Sequence, residues 1–226
     1  MPQADTESSP VHTPLVAAIA SVCLPGLGQV LQRRFLDGTA TLLLSGVLIA
    51  GSLSLGRISG RAAEVFFFMI LALPWWVFQT YDAWLGPPSH GFGWSRTWRT
   101  VWRAGHDIRF LGFLLFVSAL NDTYIILANL DYSMPFYCTK PAGALGFFPK
   151  ALSPALHMAV GYGFMKHRRW SLFLYFVYAA YGFTNGMVNL TCFGPGRIRN
   201  TLLVAIIVST LYVWWRRRIL LTNRED

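Results

Sequence analysis

Ionisable and amide side chains set inside long apolar runs are the positions where this sequence could do chemistry. Asn121 and Asp122 stand in one such run, His157 in the next, and Asn185 and Asn189 in a third. Asp122 is eight residues from Leu130, His157 seven from Lys150 and Asn185 eight from Phe193. At about 1.5 Å of rise per helical residue, all three lie roughly 10–12 Å from the ends of their runs, the common depth that a shared site requires. A carboxylate beside an imidazole can relay protons, bind a polar headgroup, or act as acid and base. The bland reading is interhelical glue, worth roughly 0.6 kcal/mol per polar side chain. No nucleotide-binding loop, serine elbow or thioredoxin-type pair accompanies the cluster. A single histidine within the runs does not make a zinc site, so neither a metal nor a cofactor is expected.

Positioning these groups requires the runs to be helices, and composition indicates what kind. Of 226 residues, 54% are hydrophobic, 15% aromatic and only 13% charged, with a net charge of +9 and a mean hydropathy of +0.43. Soluble domains carry about 25% charged residues, and disordered chains lack such aromatic and apolar content. The basic residues cluster at the ends of apolar runs, which argues against a nucleic-acid surface. The expectation is an all-α polytopic integral membrane protein of about seven transmembrane helices, over 14–32, 39–56, 65–86, 110–130, 151–165, 170–193 and 201–215. The first of these either spans or turns back, because Pro25, Gly26 and Gly28 interrupt it.

Sidedness follows from the basic residues. With the carboxyl terminus in the cytoplasm, 13 of the 19 Lys and Arg fall on the cytoplasmic side, and seven spans then put the amino terminus outside. This predicts a protein of the cytoplasmic (inner) membrane. Its partners would be the bilayer and its anionic lipids, with a second membrane protein or a second copy of the chain, and no nucleic acid. Cys138 and Cys192 both fall on the outer side, where two thiols can persist as a disulfide, whereas Cys23 lies inside the first run.

Five segments are expected: a disordered tail over 1–13, a three-segment membrane unit over 14–86, a linker over 87–109, a four-helix membrane unit over 110–218 and a cytoplasmic tail over 219–226. In the linker Trp94, Trp98 and Trp102 recur every four residues, with Arg96, Arg99 and Arg103 on the opposite face at 100° per residue. That pattern predicts a short amphipathic helix lying in the membrane interface.

In the first unit, Leu24-Pro25-Gly26-Leu27-Gly28-Gln29 precedes Arg33, Arg34 and Gly38, and Tyr81-Asp82-Ala83 follows much later. Asp82 and one of those arginines, Arg33 or Arg34, are expected to form an interfacial ion pair that closes the helix bundle. The run resembles the small bacterial membrane proteins related to the two-transmembrane-helix domain family, over about residues 14 to 86. It departs from that pattern by an extra span between the motif and the aspartate, and the resemblance implies membrane integration and little chemistry. Together these readings favour a non-enzymatic membrane accessory or assembly component. The alternatives are a small transporter or lipid-handling protein using the Asp/His/Asn cluster, and an intramembrane enzyme built on it.

Overall fold

Pro14 occupies the first helical position of α1 (Pro14–Cys23), where its missing N–H costs nothing. Pro25 then ends that helix, because the residue before a proline is driven out of the helical region, and Leu24 lies at φ −141°, ψ 114°. Gly26, at φ +90°, reverses the chain into the single turn α2 (Leu27–Leu31). Arg33 takes a positive φ of 61° and launches α3 (Phe35–Ser59). A π-helical turn over Phe68–Ala72 runs into α4 (Leu73–Leu85), and α5 (Gly93–Ala104) follows. The computed structural model describes residues 13–59, 64–65, 67–88, 91–128, 130 and 133–222. The expected tail over 1–13 lies outside these residues apart from Thr13, as does the last part of the expected tail over 219–226, whose first residues belong to the final helix.

The chain divides into two units, the first ending at Ala104 and the second beginning at Gly105. In the first, α1 packs on α2 and α4, and α3 packs on α2 and the π-helical turn. Its buried apolar residues are alanines, Ala17, Ala18, Ala72 and Ala83. Its remaining interior is polar, with Ser21, Gln29, Thr41, Gln79, Asp82 and Thr97 all fully buried. Buried polar groups are tolerable only when paired, so this unit is specified by hydrogen bonds more than by apolar volume.

The second unit consists of α6 (His106–Ala128), α7 (Gly143–Met165), α8 (Arg169–Phe193) and α9 (Arg197–Thr222). Its core is conventional: Ile108, Val160, Phe164, Leu172, Tyr175, Ala179, Val213 and Leu220 are buried together. Helices α6 and α7 approach backbone to backbone. A Cβ built on Gly112 would stand 2.6 Å from the Gly161 carbonyl oxygen, and one on Gly161 would stand 2.7 Å from that of Gly112. At the far end Asp107 takes a two-pronged bond from Arg216, with Nε at 2.6 Å and Nη2 at 2.7 Å, and a third from the Tyr212 hydroxyl at 2.6 Å.

The all-α class holds, but seven transmembrane helices do not. Among the described residues only Phe35–Leu55 and His106–Ala128 are long and apolar enough to cross a membrane. Helix α1 has 10 residues and α4 has 13, both short of the roughly 20 required. Helices α7, α8 and α9 are long enough, but internal prolines and a histidine, a series of tyrosines and asparagines, and basic residues at both ends respectively dilute their apolar character. The sidedness count falls with the spans, since assigning basic residues alternately to two sides requires all seven crossings. The inner-membrane localisation and the cytoplasmic carboxyl terminus are corrected on that ground.

Candidate functional site

The predicted polar cluster separates into two sites within the second unit. In the first, Asp122 on α6 and His157 on α7 meet, with Oδ2 and Nδ1 3.0 Å apart. The other ring nitrogen of His157, Nε2, is bonded to the hydroxyl of Tyr178 on α8. Three helices thus contribute one group each to a continuous carboxylate–imidazole–phenol chain. The carboxylate end is the wetter one, the Asp122 side chain being 32% exposed against 12% for His157. Asn121 is exposed and stands outside this chain. Tyr178 was not among the expected residues, although a signal for it exists: it lies seven residues, two helical turns, before Asn185 and so shares its face.

Asn185 and Asn189 serve a different purpose. The Asn185 side-chain carbonyl accepts from Tyr137 N at 2.9 Å, and that of Asn189 accepts from Cys138 N at 2.9 Å. The Asn189 amide group donates to Pro135 O at 3.2 Å and to Asn185 Oδ1 at 3.1 Å. These amides satisfy the backbone of a tight turn in which Tyr137 and Cys138 have φ of 42° and 66°. Cys138 is disulfide-bonded to Cys192, with Cα atoms 5.5 Å apart, so the turn is strapped to α8 covalently as well. Cys23 carries the free thiol and is exposed.

In the first unit Asp82 is fully buried, and Arg34 is the arginine that meets it, Nη2 to Oδ2 at 2.6 Å. Arg34 also donates from Nε to Asp37 Oδ2 at 2.8 Å. Gln29 Nε2 donates to Asp82 Oδ2 at 3.2 Å, and the Thr97 hydroxyl donates to Oδ1 at 2.6 Å. The glycine motif gains its meaning here. A Cβ at Gly28 would overlap the Ala17 carbonyl oxygen, so only glycine lets α2 lie against α1 and carry Gln29 inward. Gln29 Oε1 accepts from Ser21 Oγ at 3.1 Å, and Gln79 bonds Gly26 N at 3.3 Å and Ser21 O at 2.8 Å. Asp37 and Thr97 were not expected in this network, because their spacing from Asp82 follows no helical period. Every member is spent on another member, which is the arrangement of a structural lock.

The tryptophan face of α5 packs within its own unit. Trp94 stands edge-on to Trp75 of α4 at 5.0 Å, and Phe78 of α4 lies 6.4 Å from Trp98. The opposite arginine face is anchored by Arg96, which donates to Gly86 O at 2.5 Å and Pro87 O at 3.1 Å. The bilayer and its anionic lipids, expected as partners from the seven spans and the arginines of this helix, are corrected with the spans, since only two helices among the described residues are long and apolar enough to cross a membrane. A partner membrane protein or second copy, inferred from the same multi-pass setting, is withdrawn with it.

No family profile, curated protein or solved structure matches the chain. The resemblance to the two-transmembrane-helix domain family is therefore corrected: residues 14–86 build parts of a two-unit helical chain, with a single-turn α2 and a π-helical turn among its elements. The roles drawn from a multi-pass bundle, as membrane accessory component, transporter or lipid-handling protein, or intramembrane enzyme, lose their premise with the seven spans.

Proposed function

We propose that the chain works through its second unit as a helical module in which the Asp122–His157–Tyr178 chain couples α6, α7 and α8. The observation that carries this reading is the engagement of both imidazole nitrogens, Nδ1 by Asp122 and Nε2 by Tyr178. A change in what either nitrogen donates or accepts alters the bond to Asp122 on one side and to Tyr178 on the other, so the ring joins three helices in one hydrogen-bonded unit.

Amide hydrogen exchange of the parent chain and of two variants tests it. His157→Gln and Tyr178→Phe should each raise exchange near Asp122, His157 and Tyr178 on all three helices. A change confined to the substituted helix overturns the proposal.

A further inference from the structure

The arginine face of α5 and the aromatic cleft beside it share a residue. Trp75 and Phe78 of α4 and Trp94, Ser95, Trp98 and Arg99 of α5 line a cleft of about 610 Å³, within the 300–1,000 Å³ range of small-molecule sites. Arg99 also lines a second, smaller recess of about 240 Å³ with Arg96, Thr100 and Arg103. Arg99 thus borders both a flat apolar slot and an arginine-lined recess, and α5 carries no acidic residue over its whole length.

Each half selects a different chemical feature. Tryptophan faces attract planar rings, and Trp98, stacked on Trp102 with ring centroids 5.6 Å apart, is still 55% exposed. Guanidinium groups match the geometry and charge of phosphate. Arg96 is committed to the Gly86 and Pro87 carbonyls, while Arg99 spends its Nε on Ser95 O at 3.2 Å.

We infer that this cleft binds a ligand combining an aromatic ring with a phosphate, of which a nucleoside monophosphate is the simplest representative. The ring lies against Trp98 between α4 and α5, and the phosphate meets the Arg99 guanidinium, which borders both recesses. This site belongs to the first unit and is independent of the His157 relay.

Calorimetric titration of the full chain with adenosine 5′-monophosphate, with adenosine and with inorganic phosphate tests the inference. The monophosphate should bind at least about ten-fold more tightly than either fragment, because it alone uses both halves of the site. Added salt should weaken its binding and leave that of adenosine unchanged. Arg99→Gln and Trp98→Ala should each weaken the monophosphate about ten-fold. Unchanged thermal unfolding checks that both variants fold, and Trp98→Leu replaces the second if it does not. Equal binding of inorganic phosphate and the monophosphate, no measurable binding of the monophosphate, or variants that bind as the parent does would each overturn the inference. So would attachment of the chain to anionic phospholipid vesicles that the monophosphate fails to displace.

Discussion

A carboxylate with no exposure to water survives only because every oxygen is used. Asp82 accepts from Arg34, Gln29 and Thr97, and removing it takes an acceptor from three buried donors and leaves the Arg34 charge to Asp37 alone. Asp82→Ala should therefore destabilise the first unit by about 3–5 kcal/mol. Asp82→Asn keeps an acceptor and should cost less, about 1.5–3 kcal/mol. Urea denaturation of both variants measures the order, and an Asn variant as damaged as the Ala variant would show that shape and not charge pairing governs the site. His167, in the turn between α7 and α8, gives the second unit a pH response. Burial is the main cause that lowers its pKa from the ordinary 6.5, opposed by the bond to Gly105 O and reinforced by Arg109. As pH falls through 6.5 the unfolded chain takes up the proton first, so stability declines below that pH until the folded histidine also titrates. His167→Gln should flatten the decline in a series of denaturation midpoints, and an unaltered slope would assign it to other groups.

Glycines distinguish helix contacts that sequence spacing alone treats alike. Gly46-x-x-x-Ala50 and Gly182-x-x-x-Gly186 have the same small-residue spacing. Yet a Cβ at Gly46 would meet nothing within 4 Å, whereas one at Gly186 would stand 2.8 Å from the Leu203 side chain. The backbone approach of Gly112 to Gly161 carries no such motif. Gly161→Ala should cost about 1–3 kcal/mol by forcing α6 and α7 apart. Gly46→Ala should be neutral or stabilising by up to about 1 kcal/mol through helix propensity. Thermal melting compares them, and equal effects would remove the distinction. Helix α5 was legible from its alternating Trp and Arg faces, because a 3.6-residue period is a local property. What covers the Trp face was not legible, since Trp75 and Phe78 come from a separate helix.

For the whole molecule, the apolar excess that suggests seven spans is distributed differently. Part fills the core of the second unit, and part stays on the surface, where Leu43 is 71% and Phe173 is 74% exposed. Composition counts both alike, which is why a count of apolar runs exceeded the number of helices that pass the length and hydropathy requirement. The Cys138–Cys192 bond spans 54 residues of the second unit. On chain-entropy grounds it should contribute about 4 kcal/mol, lost on reduction. Alkylation of the intact chain should label Cys23 alone, and labelling of all three cysteines before reduction would exclude the bond.

Helical class, the break at Pro25 and the amphipathic α5 were written in the sequence, because each depends on residues within a few turns of one another. Tertiary structure alone decided that Arg34 meets Asp82, that Tyr178 completes the relay, and that Asn185 and Asn189 hold a turn in place of joining Asp122. Those outcomes depend on which faces of separate helices come together, and helical periodicity defines a face without specifying its partner.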